Sequence, residues 1–404
     1  MRAIVLSIAA LLVAMPAASG LSLLTAPESG EAIVGYREGT LFQAEASILA
    51  LGGSILSVNE DLRFIVLSVG DLTRFLAGIV LAVTVEYAEK NDPTRLDGAQ
   101  WNGAQWNGAQ WNGAQWNGDT ADSSDPGVDW QWGLARVKAA DAWNVSVGDR
   151  RASLCVLDSG VDLDHRDLVA NLGAGHNAID PRLPPDDDAG HGTHIAGIAA
   201  ATVGNGFGTA GVANVTILPV KVLSADGTGK EDDLAAGLVW CANQRAHVAV
   251  MALGVDDDGP TVRRAIAYAK ARDVLMLASA GNGACADCVG FPARHRDVVA
   301  VGATDADDLA ASFSSRGGQV EIAAPGVEIL STFLHDEFRY GSGTSQAVAF
   351  AAGAAALLRD TEPGLGAADA RARLREGARD IGQAGRDEAT GYGLVDAAAT
   401  LGAA

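Results

Sequence analysis

The spacing of apolar residues changes along the chain, and each change marks an element. Residues 32–36, Ala-Ile-Val-Gly-Tyr, predict a strand. The pattern at 40–51 predicts a helix closed by Gly52-Gly53. Residues 54–58 and 63–68 predict a hairpin, 71–77 a short helix and 81–87 a last strand. That order, βαββαβ, is a small α+β unit spanning 28–91.

A different rhythm occupies residues 127–404. Short apolar runs at 152–157, 215–222, 248–253, 274–278 and 298–301 read as buried strands. Helical patterns at 232–244, 261–271 and 347–359 separate several of them. Continuous apolar strands alternating with helices predict an α/β fold, a parallel sheet with helices on both faces.

Two segments fall outside these patterns. At the start, Arg2 precedes an apolar run from 3 to 15, followed by small residues from Ala17 to Gly20. This is the form of an export signal over 1–20, too short for a membrane span of about 20 apolar residues. The mature chain is therefore expected outside the cytoplasm, with no membrane attachment. Residues 92–126 form a linker holding four copies of Ala-Gln-Trp-Asn-Gly at 99–118, with half of the eight tryptophans. Asn-Gly favours turns, so a turn-rich linker is one reading; an aromatic stripe for sugar or cell wall is the other.

Composition narrows the function. The chain has 404 residues, 48% of them hydrophobic, enough for a sizeable core. Net charge is −21, and only five of 29 basic residues are lysine, which argues against a nucleic-acid partner. Four cysteines cannot make a disulfide scaffold in this length. Cys285 and Cys288 are close enough for a small disulfide or half a zinc site, while Cys155 and Cys241 are expected as core thiols. Asp186–Asp188 and Asp256–Asp258 read as solvated charge runs.

Sites in open α/β sheets gather at the carboxyl ends of strands. After the run at 152–157 comes Asp158-Ser159-Gly160. Gly190-His191-Gly192-Thr193-His194 opens an apolar helix. Gly341-Ser342-Gly343-Thr344-Ser345 runs into another helix, placing Ser345 where unsatisfied N–H groups favour a developing anion. Each segment alone reads as a cap or a structural residue. Together they set Asp, His and Ser in the chain order of one convergent form of the catalytic triad. The Gly-x-Ser-x-Gly elbow of another form fails, because Ala347 holds its last position. The two histidines lack the glutamate spacing of a zinc protease.

These motifs resemble the subtilisin family of serine proteases, or subtilases, and Ala278-Ser279-Ala280-Gly281-Asn282 resembles the segment carrying that family's oxyanion asparagine. The resemblance implies a secreted serine endopeptidase acting on proteins and peptides through an acyl-enzyme. It implies catalytic roles for Asp158, His191, Ser345 and Asn282. Ala252-Leu253-Gly254 and Gly290-Phe291-Pro292 would form the groove, with apolar-leaning specificity. Residues 28–91 are similar to the family's propeptide, a self-processed intramolecular inhibitor, ahead of a peptidase domain at 127–404. A monomer is expected. Structural calcium is implied at Asp167 and Asn205. Residues 132–133 and 142–143 resemble the start of the mature enzyme and 391–398 its last helix. After the serine the family has Met-Ala-x-Pro-His; here stands Gln346-Ala347-Val348-Ala349-Phe350.

Overall fold

A computed structural model describes residues 28–96 and 125–403. The segment read as an export signal and the Trp repeat lie outside these. Residues 30–90 form β1 (Gly30–Tyr36), α1 (Leu41–Ala50), β2 (Ser54–Asn59), β3 (Phe64–Val69), α2 (Leu72–Ile79) and β4 (Val85–Lys90). The strands make an antiparallel sheet in the order β2-β3-β1-β4. Asp71 caps α2 through the Arg74 amide, as a carboxylate at that position should. The last strand starts four residues later than the apolar run predicted. Leu81 and Val83 in that run are 68% and 83% exposed, so apolar character there reflects no burial.

Next comes β5 (Pro93–Arg95), inside the segment read as linker. The larger unit follows, with α3 (Trp132–Arg136), α4 (Ala139–Trp143), β6 (Ser153–Asp158), β7 (His176–Asn177), α5 (His191–Ala200), β8 (Thr216–Lys221), β9 (Thr228–Lys230) and α6 (Glu231–Asn243). It continues with β10 (Val248–Met251), β11 (Gly254–Val255), α7 (Pro260–Lys270), β12 (Leu275–Ser279), β13 (Val298–Thr304) and β14 (Val320–Pro325). A hairpin of β15 (Ile329–Phe333) and β16 (Glu337–Gly341) leads into α8 (Thr344–Thr361), α9 (Ala367–Gly377) and α10 (Ala397–Thr400).

Seven parallel strands make the main sheet, β14-β13-β12-β10-β6-β8-β7. Alternate residues of each central strand point to opposite faces. Leu154 and Val156 meet α5 and α8 in one apolar cluster. Cys155 and Leu157 meet α6 and α7 in the other. The small sheet adds Ile33, Phe64 and Val66 to that second cluster, so its inner face packs on α6 and α7.

Three readings need correction. Cys155 and Cys241 form a disulfide joining β6 to α6, not free thiols; Cys285 and Cys288 are paired as well. Residues 391–396 are not helical: α10 begins only at Ala397, where Asp396 accepts from the Ala399 amide. The helix α9, with buried positions only at Ala370 and Leu374, carried too weak a stripe to be read.

Candidate active site

Buried on both faces, β6 delivers Asp158 to its carboxyl end, 0% exposed. The Val222 and Leu223 amides donate to the Asp158 backbone carbonyl at 2.8 and 3.1 Å, fixing the end of the strand. The carboxylate accepts from the Ser159 amide at 2.8 Å and from His191 Nδ1 at 2.7 Å. An ionised carboxylate only accepts, so Nδ1 carries the proton and Nε2 is the basic nitrogen.

His191 is the first residue of α5, after Gly190 at φ 91°. A methyl at Gly190 would lie 2.3 Å from the Phe333 ring, and one at Gly192 would lie 2.0 Å from the Gly160 carbonyl oxygen. Glycine there lets the helix start press on the turn after β6, which brings His191 to Asp158. His194, one turn on, has its Nε2 on the Arg339 carbonyl at 3.0 Å. Burial pushes it down to about 4, so it stays neutral at ordinary pH.

Asp187, read as a solvated charge, is 8% exposed and clamps the start of α5. Its Oδ1 accepts from the Ser159 hydroxyl at 2.8 Å and from the Ala189 and Gly190 amides at 2.9 Å. Its Oδ2 accepts from the Thr193 amide at 2.9 Å and hydroxyl at 2.6 Å. A carboxylate at a helix N-terminus satisfies orphan donors. The signal available in the sequence was an Asp four residues before the histidine at a helix start.

Ser345 is the second residue of α8, 0% exposed, and its hydroxyl donates to the Ala252 carbonyl at 3.3 Å. The helix runs unbroken through Ala349, where the family has proline, and Phe350 packs over Gly133. Gln346 is buried, with neither amide atom hydrogen-bonded among the described residues. Asn282 follows β12. Its oxygen accepts from the Thr344 amide at 2.9 Å and hydroxyl at 3.0 Å. That fixes the amide so that Nδ2, the donor end, lies 3.4 Å from where a Gly343 methyl would be, two residues before Ser345. Thr344 was not foreseen as the residue that aims Asn282.

The groove residues also meet. Ala252-Leu253 follow β10, Gly254 lies in β11, and Val255 bridges Phe291. Gly290 donates to the Ala280 carbonyl at 3.0 Å, and the Phe291–Pro292 bond is cis. Between β11 and β9 lies β5 of the chain itself: Arg95 pairs with Gly254 and Thr228, and Thr94 with Val255 and Gly229. The Leu96 amide donates to the Gly227 carbonyl at 3.1 Å.

Asp167 and Asn205 come together as well. Asn205 Nδ2 donates to Asp167 Oδ1 at 2.8 Å, and the Thr209 amide and hydroxyl donate to Oδ2 at 2.8 and 3.1 Å. Asp125 accepts from the Gly204 and Gly206 amides at 2.7 and 3.0 Å. Burial pushes the Asp167 carboxyl up to about 7. Donors thus surround these carboxylates, whereas calcium asks for about six to eight oxygens. No three His, Cys, Asp or Glu side chains converge for a metal among the described residues. Asp167 and Asn205, the pair implied for calcium, thus lie side by side, and no step is routed through a metal.

Comparison with known proteins places the chain in a family. The chain is 37% identical over 278 residues to the minor extracellular protease Epr of Bacillus subtilis, covering 69% of this chain and 42% of that longer protein. It is 38% identical over 269 residues to Subtilisin BL of Lederbergia lenta, covering 66% of this chain and 97% of that one. Fervidolysin from Fervidobacterium pennivorans shares the fold, with a TM-score of 0.77 at 23% identity, over 93% of this chain and 61% of that chain. Residues 149–393 match the Subtilase family, and the chain belongs to it, a family of serine-type endopeptidases.

Proposed function

We propose that the chain is a secreted zymogen whose Asp158, His191 and Ser345 hydrolyse peptide bonds and whose first substrate is itself. Ser345 Oγ attacks the peptide carbonyl carbon while His191 Nε2 takes its proton. Asp158 holds the imidazole by Nδ1 and stabilises its charged form. Asn282 Nδ2 and the Ser345 amide donate to the oxyanion. The carbonyl–nitrogen bond then breaks, and His191 returns the proton to the leaving amine. Water repeats the sequence on the acyl-enzyme and frees the acid. His194 is excluded as the base by its Nε2 bond to the Arg339 carbonyl.

One observation carries the zymogen reading: β5 is the middle strand of β11-β5-β9, the place of an extended peptide bound by strand addition. Its Arg95–Gly254 register runs toward Ala252, whose carbonyl accepts from Ser345. The first cut therefore falls just past Leu96. The four-copy repeat at 99–118 would then stay on the new N-terminus, which keeps a binding role for its tryptophans open. Small and apolar groove residues support apolar-leaning cleavage, the apolar leading run supports secretion, and a monomer is the expected state.

Intact mass of the purified chain and of Ser345→Ala, both without residues 1–20, tests the reading. The unsubstituted chain should end as two pieces parted just past Leu96, and Ser345→Ala should remain whole. Cleavage of both at one place would assign the processing to another protease.

A further inference from the structure

The small sheet grips the peptidase domain by an apolar face and by an acidic edge. Along that edge, four carboxylates have cations. Glu31 meets Lys230 at 2.9 Å, Glu86 meets Arg264, Asp256 meets Arg95, and Asp258 meets Arg263 at 2.5 Å. Arg264 also lies over the Tyr87 ring, and the Tyr87 hydroxyl meets Thr261 Oγ1 at 2.9 Å. Lys90 faces Glu28 at 3.9 Å. That leaves Glu89 and Asp92 of the small domain facing Glu231 and Asp257 of the peptidase, with Arg264 near Glu89 and Lys90 near Asp92 as the cations that oppose the crowding. Asp232 and Asp233 flank the group, Asp232 accepting from Asn91 at 2.8 Å.

Geometry makes the crowding specific. Glu89 accepts from the Thr261 amide at 3.1 Å, at the start of α7. A methyl at Gly259 would lie 2.6 Å from Glu89 Oε2 and 3.1 Å from Glu231 Oε1, so the two carboxyls converge on one spot. Glu231 is 1% exposed, and its Oε1 has no hydrogen-bond partner among the described residues. Its amide donates to the Asp92 carbonyl at 3.0 Å, tying it to the small domain.

We propose that this cluster makes the hold of the small domain on the peptidase domain pH-dependent, tight in acid and released as the medium turns alkaline. The inference rests on the zymogen reading. Burial first, then Glu89 and Asp92, push Glu231 up to about 8. Burial pushes Glu89 up to about 7 against the Thr261 bonds and Arg264, and Asp92 is raised by burial and by Asp257 against Lys90. A carboxyl whose bound value is raised favours the complex fully below its free value. That contribution is lost as pH rises through about 7 and about 8. Between the free carboxyl value near 4.5 and the raised one, each such group weakens binding about tenfold per pH unit.

The test uses the self-cleaved chain, held at pH 5.5, 7 and 8.5 and separated by size, with the small fragment identified by mass. The fragment should travel with the peptidase at pH 5.5 and leave it at pH 8.5, while Glu89→Gln and Glu231→Gln should retain it at pH 8.5. Equal association at all three values, or release of the Gln variants with the unsubstituted profile, overturns the proposal. A second arm needs no proteolysis. In the uncut Ser345→Ala chain, opening at the Thr261 amide, read by hydrogen exchange corrected for its intrinsic pH dependence, should rise at least tenfold from pH 6 to 8.5. It should rise less with Glu89→Gln and stay flat with Glu89→Gln and Glu231→Gln together. A chain that fails to cut itself but passes this arm refutes the zymogen reading alone; a flat profile in both refutes the switch.

Discussion

The molecule buries carboxylates in two places and treats them oppositely. At the carboxyl end of β6 and the start of α5, Asp158 and Asp187 each accept several protein donors. Where the small sheet meets α6 and α7, Glu231 faces Glu89 and Asp92 with one oxygen unpaired. A buried charge costs little when donors replace its water and much when they do not. The first arrangement locks a site that must not move. The second stores repulsion in an interface that, on the proposed zymogen reading, has to part.

The comparison breaks first at the nucleophile. Ser345→Ala should lower turnover on the order of 10⁶-fold, a scale taken from a related subtilisin rather than derived from this geometry. Residual cleavage of a chromogenic peptide near the unsubstituted rate would remove Ser345 from its role. Asn282→Ala should lower turnover about 10²–10³-fold, again a relative's scale, while its circular dichroism stays unchanged. Unchanged turnover would assign the oxyanion to other donors.

The donor-rich side is sharpened by Asp187→Ala in the Ser345→Ala background. It strands the Gly190 and Thr193 amides and two hydroxyls, so unfolding in denaturant should show a loss of about 3 kcal/mol or more. A change under 1 kcal/mol, by the same principle roughly a surface effect, would show that the clamp is dispensable. The repulsive side answers with the opposite sign. Glu231→Gln in that background should raise the midpoint of thermal unfolding by ~2–4 °C at pH 8.5 and leave it nearly unchanged at pH 4.5. The neutral form of Glu231 contributes below its free value near 4.5 and loses its effect as pH rises through about 8. A larger gain in acid than in base would reverse the account.

The smallest effect is an expected non-event. Gln346 stands where the family has methionine beside the nucleophile, and Met251 and Met276 are buried at 0% and 1% exposure. Mild peroxide should leave initial rates on a peptide substrate unchanged over an hour's exposure. Rapid inactivation would point to another oxidisable group at the site.

Much of this was written in the sequence because it is local. Apolar runs with periods near 2 and 3.6 depend on neighbours in the chain, so β6, β10, α6 and α8 were legible. Asp158, His191 and Ser345 were legible by their motifs, each set at a strand end or helix start by the glycines around it. Tertiary structure alone decided the partners. Two acidic triplets of equal appearance diverged, one supplying the Asp187 clamp and the other facing the small domain, since burial depends on what folds over a residue. Cys155 met Cys241 because β6 lies under α6, at a sequence separation of 86. Pro93–Arg95, too short to carry a period, became a strand only because β9 and β11 offered unpaired edges on either side. Composition recorded the acidity of the chain; only packing decided which acids have a partner and which must repel.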